Sequence, residues 1–98
     1  MTIRGPVEHA ILEIAGELDF TYASDVARLA VELPHRIVAL DLSGLDFIDV
    51  AGARAITQIR EAVAARCQEE PELQGVSMAV ARTLQHVDTA TRAVVAHI

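Results

Sequence analysis

Read from the N-terminus, the apolar and polar positions sort into short alternating runs and longer helical ones. Residues 3–8 give a weak strand pattern broken by Gly5-Pro6, which suits a sheet edge. Residues 10–15, AILEIA, predict a better strand that stops at Gly16, after which GELDF turns the chain. Thr21 is placed to cap a helix. In that helix Val26, Leu29, Ala30 and Leu33 recur at helical spacing, with Asp25, Arg28 and Glu32 on the other side. Pro34 ends it. Residues 36–42, RIVALDL, are almost continuously apolar, as expected of a central strand covered on both faces. After a turn and Asp49, a second helix is predicted from Ala51 to Cys67, burying Ala53, Ile56, Ile59, Val63 and Cys67 and exposing Arg54, Gln58 and Glu61. QEEPELQG reads as an acidic loop and VSMAVA, residues 76–81, as a strand. Residues 83–92 predict a short helix, and 93–98 either continue it or form a last strand.

The resulting order, β-β-α-β-α-β-α with a last β left open, is that of an α/β fold with parallel strand pairs and crossover helices. The chain's 98 residues are enough for one domain, spanning 1–98. Hydrophobic residues make up 52%, which excludes disorder as the default. Much of that share is alanine and valine, and Phe20, Tyr22 and Phe47 are the whole aromatic complement. The core is therefore expected to consist of small aliphatic side chains.

A net charge of −6 argues against binding a nucleic-acid backbone, which requires a basic stripe. One cysteine, Cys67, makes no internal disulfide, no apolar run reaches the length of a membrane span, and the N-terminus lacks the order of a signal peptide. A cytoplasmic location is the simplest expectation.

Catalytic patterns are missing. There is no GxSxG elbow and no phosphate-binding GKS or GKT loop. His9, His35, His86 and His97 are scattered, without a second ligand at metal spacing, so no metal or other cofactor is expected. Asp19 and Asp49 each precede a helix. The ends of parallel strands bring ligands together, so these acids, with Asp46, can share one end of the molecule. Capping of free helix N–H groups is the simpler role for both, since no nucleophile or base accompanies them.

Two segments then point to a family. Gly16-Glu17-Leu18-Asp19 precedes Asp41-Leu42-Ser43-Gly44-Leu45-Asp46-Phe47-Ile48-Asp49, with Gly52 three residues further on. Together, at this separation, they resemble the STAS domain of bacterial anti-sigma factor antagonists over residues 1 to about 92. The resemblance implies a STAS-like mixed sheet with crossover helices and a module that binds an anti-sigma kinase through the start of its second helix. It implies a partner surface of Asp19, Asp49, Val50, Ala51, Gly52 and Arg54. It also implies a phosphorylated serine after the second acid; here that position is Val50 and the next is Ala51. Family members usually carry another helix after the last strand, whereas this sequence ends at Ile98.

A phosphate at a helix start meets free N–H groups and adds about −1.5 to −2 charges. Neither Val50 nor Ala51 can carry one, and Ser43 and Thr57 lie elsewhere, so no phosphorylation is expected at this junction. Val50 then either belongs to a constitutive docking surface or simply packs against the first helix. Three functions follow: an antagonist-like interaction module, a STAS subunit of a larger signalling or transport assembly, or a small-ligand sensor. Homodimerisation through the C-terminal region is a further expectation, since an exposed last strand is a pairing hazard.

Overall fold

Parallel strands cannot be joined by tight turns, and here each parallel connection is made by a helix. The computed structural model describes the backbone of residues 1–96 and the side chains of residues 1–87. Its four-stranded sheet has the order β1 (Thr2–Arg4), β2 (Ala10–Glu13), β4 (Ile37–Asp41) and β6 (Glu72–Gln74). β1 is antiparallel to β2; β2 and β6 both run parallel to β4. Helix α1 (Ala23–Glu32) joins β2's side of the sheet to β4, and α2 (Val50–Cys67) leads from there to β6.

Register explains which face is buried. Ile3, Leu12, Leu40 and Leu73 stand opposite one another across all four strands, and the row above them reads Thr2, Glu13, Asp41 and Gln74. Alternation of side chains sends the first row into the core and the second away from it. On the polar side Arg4 reaches Glu13 at 3.3 Å and Asp41 at 2.8 Å. β4 is the central strand, as predicted. It is covered less fully than predicted, with Val38 and Asp41 only half-buried.

Two short strands were not anticipated. GEL, within the segment read as a turn, is β3 (Gly16–Leu18), and LDFI is β5 (Leu45–Ile48). They pair in parallel, and the bonds Ile14 N to Asp41 O (3.0 Å) and Gly16 N to Gly44 O (2.8 Å) link this pair to the β2–β4 ladder. The same two chain segments thus run side by side twice, with a register shift where they resume at Gly16.

The helices need further corrections. Thr21 does not cap α1. Its N–H donates to the Asp19 carboxylate at 3.0 Å, and the Asp19 carbonyl accepts from Tyr22 and Ala23. α1 buries Ala23, Ala27 and Ala30, while Leu29, expected inside, is 48% exposed. The three alanines form the buried stripe of α1, with Val26 and Leu33 half-buried against the core. α2 buries Gly52, Ala53, Ala55, Ile56, Ile59 and Val63; Cys67 is half-buried. Arg66, in its last turn, donates to the carbonyls of Val31, Leu33 and His35 at 2.9–3.1 Å, satisfying acceptors where Pro34 ends α1. The largest correction lies beyond α2. The strand falls at 72–74 and not at 76–81, and α3 (Met78–Ala96) starts inside the run read as a strand. The helical alternative for 93–98 holds through Ala96; His97 and Ile98 lie outside the described residues.

Asp41 sets an acid response. Its carboxyl is held below the ordinary 3.8 chiefly by the Ser43 N–H, then by the Ser43 hydroxyl, with Arg4 adding to both. A carboxyl with a depressed folded-state pKa stabilises the fold above its unfolded value, and that contribution disappears as pH falls through the folded value. In thermal melts between about pH 6 and about pH 3, Asp41→Asn is expected to lose less melting temperature than the wild type. Equal losses would remove Asp41 from the acid response.

Candidate functional site

The second acid of the sequence signature ends β5 and opens α2. Asp49 has extended backbone, and its carbonyl accepts the first helical bond, from Ala53 N at 2.9 Å. One carboxylate oxygen, Oδ1, accepts from Gly52 N at 2.8 Å, which is an N-cap bond. The other, Oδ2, accepts from Phe20 N at 2.9 Å, across from the turn that follows β3. Asp49 N approaches Leu18 O at 3.4 Å. Asp49 therefore fastens the start of α2 to the turn before α1, and both of its oxygens are engaged inside the molecule. That geometry agrees with the capping role. Asp19, expected to cap α1, does not: α1 starts after Tyr22 with no side-chain cap, and Asp19 Oδ1 accepts from Thr21 N in the turn before it. Asp46 is exposed on β5, and among the described residues no three His, Cys, Asp or Glu side chains converge as metal ligands would.

Gly52 completes the fastening. It is buried, and a methyl group there would run into the carbonyl oxygen of Leu18 and press on Ile48. The first turn of α2 therefore lies against the β3 backbone at a separation only glycine permits.

The six expected surface residues do come together, but not as equals. Val50 is 44% exposed at the first position of α2, and Arg54 is exposed one turn later. Ala51 is half-buried, and Gly52 is interior. Two residues the pattern did not single out enlarge the surface: Phe20 is 79% exposed and Phe47 51%. The signal for them was in the sequence, because both fall beside acids in segments that carry no helical stripe. Between the starts of α1 and α2 lies an open groove of about 220 Å³. Buried Ala23 and Ala55 with half-buried Ala51 form its floor. Phe20 and Ser24 rise on one side, Arg54 and Gln58 on the other.

Removing the Asp49 carboxylate is expected to cost roughly 2–4 kcal/mol in Asp49→Ala, since two charge-assisted bonds are lost. Asp49→Asn keeps an acceptor for Gly52 and loses the one for Phe20, so about half that cost is expected. Gly52→Ala should cost about 3 kcal/mol or more through overpacking. Urea denaturation followed by circular dichroism measures all three; an Asp49→Asn protein as stable as the wild type would show that the bond to Phe20 contributes nothing.

The comparisons with known proteins agree with this architecture. A family model described as the STAS domain matches residues 1–92. In sequence the chain is similar to a human protein named putative solute carrier family 26 member 10P, 47% identical over 49 residues. Those residues are 50% of this chain and 9% of that protein, so the chain spans a small fraction of that relative. In structure it is similar to the anti-sigma factor antagonist SpoIIAA in its unphosphorylated form, with a TM-score of 0.66 at 14% identity, covering 89% of this chain and 79% of that one. At that identity the likeness is one of fold, a mixed sheet with three helices. With nearly its whole length matched by one family model, the chain belongs to the STAS domain family.

Proposed function

We propose that this protein is a cytoplasmic protein–protein interaction module of the anti-sigma factor antagonist type, not an enzyme, which docks through the tip of α2 and is not switched by phosphorylation there. One observation carries the reading: Asp49 turns both oxygens inward while Val50 holds an apolar side chain outward at the first turn of α2. Phe20 and Phe47, both more than half exposed, make the same end of the molecule apolar. Apolar side chains ringed by polar ones are the usual composition of a binding surface. The unphosphorylated form of such a surface would differ little from this one in charge. The partner in this reading is an anti-sigma factor with serine-kinase activity.

The local identity to the solute-carrier relative supports a second reading, a STAS domain serving a larger transport assembly. No described helix is long and apolar enough to cross a membrane, so the membrane part in that case would belong to another segment or chain.

Two experiments decide. In a pull-down from the native cell, Val50→Glu places a charge at the docking tip and is expected to weaken capture of the anti-sigma factor at least tenfold, about 1.4 kcal/mol. Equal capture by both proteins moves the docking face elsewhere, and capture of a transporter in place of an anti-sigma factor favours the second reading. Incubated with that kinase and ATP, the wild type is expected to take up no phosphate in the 49–52 peptide, whereas a Val50→Ser, Ala51→Ser variant does. Stoichiometric phosphate on the wild-type peptide would refute the unswitched reading.

A further inference from the structure

We infer that the groove between the starts of α1 and α2 receives a carboxylate side chain of the docking partner, with Arg54 as its counter-ion. The inference deepens the docking reading above and rests on it. All eight basic residues of the chain are arginines, set against fourteen acids. In so acidic a chain a guanidinium has carboxylates within easy reach, and Arg4, Arg28, Arg36 and Arg60 are each ion-paired. Arg66 is taken up by three carbonyls. Among the described arginines only Arg54 and Arg82 have neither an ion pair nor a hydrogen bond, and Arg54 is the one that borders a groove.

The groove has the dimensions and lining for one inserted side chain. At about 220 Å³ this open groove is smaller than the roughly 300–1,000 Å³ of small-molecule pockets, and it has room for a single inserted side chain. Its floor of three alanines is apolar and low, and the exposed ring of Phe20 forms a wall against which an aliphatic stem can lie. The Gln58 amide and the Ser24 hydroxyl are further donors beside Arg54. A carboxylate on a short aliphatic stem, as in glutamate or aspartate, satisfies every part: stem on the alanines and Phe20, carboxylate on the planar guanidinium. A basic side chain would meet the like charge of Arg54, and a purely apolar one would leave the guanidinium covered and unpaired.

Binding of the purified anti-sigma factor to wild type, Arg54→Lys, Arg54→Glu and Val50→Glu, each checked for an unchanged melt, tests this. Arg54→Glu is expected to weaken binding by roughly 30-fold or more, the effect of a hot-spot residue, and Arg54→Lys by several-fold, because it keeps the charge and loses the planar fork. An acid-to-lysine substitution on the partner that restores binding to Arg54→Glu alone would identify the inserted residue. Loss of binding in Val50→Glu, with Arg54→Glu still binding like wild type, overturns the inference and spares the docking reading. No binding of the wild type, or equal binding by all four proteins, overturns both. Displacement of the wild-type complex by millimolar inorganic phosphate at constant ionic strength overturns it in favour of a free-anion site.

Discussion

The geometry where α1 and α2 begin depends on one carboxylate with two duties. Asp49 caps α2 through one oxygen and holds the Phe20 N–H through the other. An ordinary cap would fix only the helix it begins. By reaching a second segment, this one fixes the position of α2 relative to the β3 turn and hence to α1. Gly52 makes the arrangement tight, since its missing side chain lets the helix rest on the Leu18 carbonyl. The groove and the exposed residues around it owe their geometry to these two contacts. Neither position tolerates a substitute that preserves both.

A second constraint runs through composition. The facing sides of α1 and α2 carry small buried side chains, Ala23, Ala27 and Ala30 on one and Ala55 on the other. Small side chains bring helix backbones close and leave no volume for aromatic rings between them. All three aromatic side chains are consequently outside, Phe20, Tyr22 and Phe47 alike. In a core of leucine and isoleucine this would be an ordinary economy of volume. Phe20, held by Asp49, and Tyr22, at the start of α1, lie at the end where the two helices begin, and Phe47 is two residues before Asp49. Packing that excludes large rings from the interior thus supplies apolar area to a surface.

Local pattern revealed the parts of the fold that local pattern controls. β2, β4, α1 and α2 each carry enough apolar residues at one period to be recognised, and the paired GELD and DLSGLDFID segments identified the family. The misses share a physical cause. β3 and β5 have three and four residues, and what makes them strands is mutual pairing across about thirty residues of chain. β6 has one half-buried apolar residue, Leu73, which completes the row of Ile3, Leu12 and Leu40; no periodicity exists in a single position. VSMAVA has six residues, too few to separate the two periods. The helical evidence came from extending the window past it, where Val80 is followed by Leu84 and Val87, all buried, and from Ser77, whose Oγ accepts from Val80 N as a cap. At the tip, the acids and the missing hydroxyls were legible from sequence. The groove and the unpaired state of Arg54 were not, because they depend on how two helices approach.

The substitution of Val50 and Ala51 for hydroxyl residues has a consequence that follows from charge alone. A phosphate beside Asp49 would add about −1.5 to −2 units next to a carboxylate whose two bonds hold the tip together. Moving a docking equilibrium from 1:99 to 99:1 takes about 5.5 kcal/mol of differential affinity, and such a charge is the natural source of it. With apolar side chains in both places the charge of the tip is fixed. Occupancy of a tip with fixed charge is governed by the concentrations of the two proteins and of any competitor for the same partner. In the docking reading proposed above, control would pass from a kinase to synthesis and turnover, and Arg54 at the groove would select which partners compete.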